Sequence, residues 1–240
     1  MPLKAVLFDC SGVIIHDEEL RKRLLEELLI DENLRPNGEE FAPLCLGRSD
    51  RACLTDLFER RGRIMNQDYL KRLCDRKAER YQRLLDDQAK LPIYPGVTDL
   101  LYQLRTLQVA IAVVSGAARS EVDYVMQRSH LADQVNAVIS GDDYLVGPPE
   151  PDGYLTAIAR LNAQQPNLNL TPADCLVIED TPAGIQAAKA AGMSVVGVAN
   201  TYPYHMMQRQ ANWAVDYLTE LELDRVQQVF NGAELRQSVG

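Results

Sequence analysis

The sequence predicts an α/β fold: a doubly wound parallel sheet with a small helical unit inserted after the first strand. Three observations predict it. Short, continuous apolar runs alternate with segments of helical period, as strands buried on both faces do in βαβ units. Several of those runs stop at a polar or acidic residue. Between residues 17 and 90 the texture changes: charge is dense, Leu and Arg recur at helical spacing, and β-branched residues are scarce.

Residues 4–8 form the first run, which stops at Asp9 and passes into the polar turn Cys10-Ser11-Gly12. Leu20, Leu24 and Leu28, with Leu25 beside them, mark a helix, and Leu70, Leu73, Ala78 and Tyr81 mark a later one. Pro36-Asn37-Gly38 and Gly62 break this section into pieces. Pro92, Pro95 and Gly96 punctuate the return to alternation. The expected domains are an α/β core of residues 1–16 and 91–240 and a helical unit over 17–90. Core helices are predicted over 97–107, 119–128 and 154–162, and strands over 109–114, 135–139, 175–178 and 195–198. Thr181-Pro182 reads as the N-cap and first position of a helix running to Ala191, with Gly192 at C′. The remainder reads as polar and helical, with frayed last residues.

The chain has 240 residues and a formal net charge of -9, which argues against nucleic-acid or anionic-membrane partners. No apolar run approaches the roughly 18 residues of a membrane span, and the N-terminal residues do not read as a cleavable leader. A cytoplasmic location is expected. Cys10, Cys45, Cys53, Cys74 and Cys175 are odd in number and irregular in spacing, so buried free thiols are expected rather than disulfides or zinc ligands.

Ligands of doubly wound sheets bind at the carboxyl ends of strands, near the switch in strand order. That rule brings together Asp9, Ser115, Glu179 and Asp180, each of which ends a run. A lone strand-end Asp is more readily a turn cap; three aligned strand ends favour a site. Carboxylates gathered with a carbonyl and waters suit Mg²⁺, a hard cation that takes oxygen ligands.

The stretches that carry these residues are Leu7-Phe8-Asp9-Cys10-Ser11-Gly12-Val13-Ile14, Pro95-Gly96-Val97, Val114-Ser115-Gly116, Gly141-Asp142-Asp143 with Pro149-Glu150-Pro151-Asp152, and Val177-Ile178-Glu179-Asp180-Thr181-Pro182-Ala183-Gly184. Together they resemble the haloacid dehalogenase (HAD) superfamily, with its Rossmann-like core. Within it, the chain is most similar to the β-phosphoglucomutase and CbbY-like phosphatases that carry a small helical cap. The resemblance implies roles. Asp9 would be the nucleophile that forms an aspartyl-phosphate and also a Mg²⁺ ligand. Ser11 would offer its backbone carbonyl to the metal, and Glu179 and Asp180 would complete the metal site. Ser115, with neighbouring backbone N–H groups such as that of Gly116, would hold the phosphoryl group. Gly47-Arg48-Ser49 resembles the cap motif that meets substrate, with Arg48 either a substrate contact or a solvated surface residue.

The chain departs from the family pattern at two main positions. Ser11 stands where the family has its acid/base Asp, and a hydroxyl has no usable pKa for that work. Pro148 stands where the family has a phosphate-binding Lys, and it offers neither charge nor donor. No lysine lies in register to replace it; Lys90 and Arg119 are the nearest alternatives. His16 replaces a residue that is usually acidic. It reads as a partly buried structural histidine before it reads as an acid/base or substrate contact. The leading reading is therefore a catalytically impaired relative that binds Mg²⁺ and acts by binding a phosphorylated ligand or a protein partner. The alternative is an active phosphatase or phosphomutase on a small sugar phosphate.

Overall fold

The computed structural model describes residues 2–232. Its sheet has six parallel strands: β1 (Ala5–Asp9), β2 (Ala110–Val114), β3 (Ala137–Ile139), β4 (Cys175–Glu179), β5 (Ser194–Val198) and β6 (Trp213–Val215). The spatial order is β3-β2-β1-β4-β5-β6. β1 pairs with β2 on one side and β4 on the other, so the winding reverses at β1. The strands read as unbroken apolar runs because both faces are covered. Val6, Phe8, Ile111, Val113, Leu176 and Ile178 pack into one core, while Leu7, Ala112, Val114, Val177 and Val195 pack into the other. Helices α5 (Val97–Thr106), α6 (Arg119–Arg128) and α10 (Leu223–Phe230) contribute to the first core; α7 (Asp152–Gln164), α8 (Pro182–Ala190) and α9 (Tyr204–Gln210) contribute to the second.

The predicted helices and strands of the core are present, with boundaries shifted by a residue or two. Thr181 caps α8, accepting from Gly184 N–H at 3.1 Å, and Gly192 at φ +83° follows its end. The remainder is helical as expected in α9 and α10, but between them lies β6, a three-residue edge strand whose Trp-Ala-Val is too short to show a period. The predicted fraying falls on residues outside those described.

Between β1 and α5 lie α1 (Glu18–Asp31), α2 (Phe41–Cys45), α3 (Asp50–Glu59) and α4 (Gln67–Asp86). They bury their own apolar cluster, which includes Leu25, Leu28, Leu54, Phe58 and Leu73. This is the helical cap of the fold. It sits directly on the core: Gln82 donates to Ser120 O at 2.9 Å, and Arg128 donates to Leu85 O and Gln88 O at 3.1 and 2.9 Å.

One cysteine expectation is overturned. Cys45 and Cys53 form a disulfide with Cα atoms 4.8 Å apart, while Cys10, Cys74 and Cys175 are buried free thiols. The pairing arises because the chain turns back between α2 and α3, which brings two irregularly spaced residues together. Closing so short a loop is worth about 2–3 kcal/mol in the chain-entropy account. Cys53→Ser is therefore expected to lower thermal stability, and a reductant is expected to lower the wild type but not the variant. Melting curves with and without reductant check this.

Candidate active site

The carboxyl ends of β1, β2 and β4 meet at the switch point and open into one cavity of about 60 Å³ roofed by the cap. Asp9, Ser11, Arg48, Ser115, Gly116, Pro148, Glu179 and Asp180 all line it. The structure thus gathers every predicted site residue except His16. That side chain is 65% exposed, lies 3.7 Å from Glu18 and meets the Tyr94 ring at a tilt of 36°. The partly buried structural reading of His16 is corrected: the backbone there leaves the core for the cap, and the ring is exposed and does not line the cavity. Lys90 and Arg119 do not line the cavity either; Lys90 is exposed, and Arg119 pairs with Asp143 and donates to Val138 O.

Asp9, Glu179 and Asp180 present carboxylate oxygens within 4.8 Å of one another. Asp9 keeps some exposure, and the other two are buried. Burial, followed by the charges of Glu179 and Asp180, pushes Asp9 well above the usual carboxylate range, although Cys10 N–H and Arg21 pull it down. Burial and Glu179 likewise raise Asp180, partly offset by a hydrogen bond from Thr201. Asp180 Oδ1 is buried without a partner. Three carboxyl groups pressed together, one oxygen orphaned, form a donor set that could hold a hard divalent cation. The three residues differ in availability. Glu179 Oε2 accepts from the N–H groups of Asp180 and Thr181 and from Thr181 Oγ1, each at 3.0 Å. Glu179 Oε1 accepts from Tyr154 OH at 2.8 Å. With most of its roughly four acceptor sites used, Glu179 chiefly pins the loop that aims Asp180.

Ser11 sits beside Asp9, and its hydroxyl donates to Asp17, a buried carboxylate that also accepts from Tyr81 OH at 2.6 Å. Gly12, at φ +80°, is needed here for a second reason: a Cβ would collide with the Asp180 carboxylate. On the cap side, Asp50 N–H donates to Gly116 O at 3.0 Å, and a Cβ on Gly116 would stand 2.7 Å from Ser49 Cα. The cap therefore rests on the loop that follows β2. Arg48 turns toward its own unit, donating to Asp56 at 2.5 Å and Leu44 O at 3.0 Å.

Beside the cavity lies a buried charge cluster that the sequence reading missed. Lys77 of α4 is fully buried and donates to Asp50 at 2.8 Å and Glu121 at 2.9 Å. Arg21 of α1 donates to Asp50 at 2.8 Å and Glu121 at 3.2 Å, and it lines the cavity. Burial acts to raise Asp50, but Lys77 and Arg21 outweigh it and hold the group below its ordinary value. Glu121, from core helix α6, is raised because burial outweighs the same cations. The signal was positional. Arg21, Lys77 and Glu121 fall on the buried stripes of their helices, where Leu24 and Leu25, Leu73 and Tyr81, and Val122 and Val125 lie.

A central strand ending in Asp, an acidic pair ending its neighbour and a helical cap above them define a known class of protein. The chain belongs to the haloacid dehalogenase-like hydrolase family, whose model matches residues 3–192. It is similar to the β-phosphoglucomutase of Bacillus subtilis (strain 168), 28% identical over 241 residues covering 99% of this chain and 100% of that protein. It is also similar to the validoxylamine A 7'-phosphate phosphatase of Streptomyces hygroscopicus subsp. limoneus, 28% identical and covering 83% of this chain and 87% of the relative. Among solved structures, the β-phosphoglucomutase of Clostridium difficile superposes with a TM-score of 0.80 at 23% identity, over 98% of this chain and 100% of that one.

Proposed function

We propose that this chain is a Mg²⁺-binding relative of the HAD phosphatases and phosphomutases that binds a phosphorylated small molecule and turns it over slowly. One observation carries the reading. Asp9, Ser115 and Asp180 line one cavity together with Ser11 and Pro148, the two positions at which the resemblance implies an acid/base Asp and a phosphate-binding Lys.

Asp9, Asp180 and the Ser11 carbonyl would hold Mg²⁺, with Glu179 behind them. Bound there, the cation supplies charge neutralisation at the phosphoryl oxygens. Asp9 is the carboxylate placed to attack phosphorus, and the Ser115 hydroxyl, which accepts from Ala117 N–H at 3.2 Å, keeps its proton free for a phosphoryl oxygen. The Ser11 hydroxyl is committed to Asp17 and protonates no leaving group. Losing acid/base help costs about 10²–10⁴-fold. Losing one preorganised electrostatic contact costs about 10²–10³-fold. Such groups act as a unit, so a combined deficit of about 10⁴-fold is expected rather than the product.

The test is phosphate release from a panel of phosphomonoesters with and without Mg²⁺, comparing wild type with Asp9→Asn, alongside ligand-induced thermal shifts. Mg²⁺-dependent shifts with slow release, abolished by Asp9→Asn, are expected. Rapid release by the wild type would remove the claim of impairment, and absence of any shift would remove the binding claim. A second reading, a competent phosphatase, is favoured by the Ser11–Asp17 hydrogen bond, which places a carboxylate one step behind the vacated position. Rapid turnover lost in both Asp9→Asn and Asp17→Asn would select it.

A further inference from the structure

We infer that the ligand of this cavity carries, beyond its phosphoryl group, a compact apolar group, aryl or alkyl, and not a polyhydroxylated sugar. The inference rests on the proposal that the phosphoryl group lies at Asp9. It comes from the wall the cap presents to that group.

That wall is made by Leu25, Phe41, Cys45, Leu46 and Cys53, all lining the cavity. Leu25, Cys45 and Cys53 are buried, and Phe41 and Leu46 keep partial exposure. The disulfide removes both thiol protons from the wall, so its sulfurs donate to nothing. Most of the cap's polar lining groups are already engaged. Arg21 is taken by Asp50 and Glu121, Asp50 by Lys77, and Nη1 of Arg48 by Asp56 and Leu44 O. A sugar placed against this wall loses the water around its hydroxyls and gains no hydrogen-bond donor from Leu25, Phe41, Leu46 or the disulfide. An aryl or alkyl group loses nothing by the same transfer and gains the burial of its surface. Compactness follows from the roof's position. Asp50 N–H reaches Gly116 O at 3.0 Å, which holds the cap down on the core beside the wall.

The experiment is calorimetric titration of the full-length wild type with Mg²⁺ present, using phenyl phosphate, glucose 1-phosphate, glucose 6-phosphate and inorganic phosphate as probes. Phenyl phosphate is expected to bind at least about tenfold more tightly than either sugar phosphate and more tightly than inorganic phosphate, the discrimination an apolar wall can supply. Phe41→Ser with Leu46→Ser, shown folded by its melting curve, is expected to erase that advantage. Either sugar phosphate binding as tightly as phenyl phosphate overturns the inference while leaving the phosphoryl site standing. Failure of all four probes to bind overturns the phosphoryl site and the inference with it. The wild-type ranking alone decides the matter if the double variant does not fold.

Discussion

Replacing Ser11→Asp and Pro148→Lys together, with Asp17→Asn to relieve the new acid, is expected to raise Mg²⁺-dependent phosphate release by at least about 10²-fold and up to about 10⁴-fold, the range in which one acid/base group and one charge contact act. The two changes supply different things. A lysine at 148 enters a cavity whose lining has Asp9, Glu18, Asp50, Glu150, Glu179 and Asp180 against only Arg21 and Arg48, both already paired. Its charge acts first on binding, so Pro148→Lys alone should tighten the ligand and raise turnover little. An aspartate at 11 supplies the proton donor, but it meets Asp17, which the Ser11 hydroxyl now contacts. Two carboxylates at that spacing repel unless they share a proton or gain a cation. Ser11→Asp alone should therefore gain little, and adding Asp17→Asn should release the gain. Steady-state phosphate release and ligand affinity for the single, double and triple variants separate these contributions. If all of these variants fold and bind Mg²⁺ yet none releases phosphate faster than wild type, the proposed cause of slow turnover is wrong.

The parts of this site legible in the sequence are those a strand dictates. A strand covered on both faces must be apolar throughout, so its end is visible where Phe8 gives way to Asp9 or Ile178 to Glu179, and the parallel winding then puts those ends on one edge. Side-chain relations between elements left no such trace. Asp17, Arg21, Asp50, Lys77 and Glu121 belong to an acidic, highly charged chain in which most such residues face water. For Arg21, Lys77 and Glu121, only their slots on helical stripes distinguish them. The Cys45–Cys53 bond depends on a turn between two cap helices, and spacing alone cannot announce it. Glu179 was visible, but its heavy load of hydrogen bonds was not, because Tyr154 arrives from α7 across the crevice.

Lys77→Met is expected to destabilise the protein by about 3–5 kcal/mol, because it leaves buried carboxylates short of a partner. For a chain of this size that is a fall in Tm of roughly 6–20 °C. Lys77 is fully buried between Asp50 of the cap and Glu121 of the core, so its removal also loosens the join between the two units. Arg21 remains to serve both acids and keeps the loss finite. The deficit should depend on pH in a stated sense. Glu121 is already raised above its ordinary value, and without Lys77 it rises further. Below the unfolded-state value of about 4.3 the group is protonated in both states and adds nothing. Above it, the unfolded chain ionises freely while the folded one resists, so stability is lost as pH rises toward the folded-state value. The variant should therefore lose more stability at neutral than at mildly acidic pH. Lys77→Met with Glu121→Gln should recover much of the loss and flatten that pH dependence, since it removes the stranded charge. Equal losses in the single and double variants across pH would mean that Lys77 acts through packing against Tyr81, whose ring lies 5.8 Å from its ammonium, and not through the charge cluster.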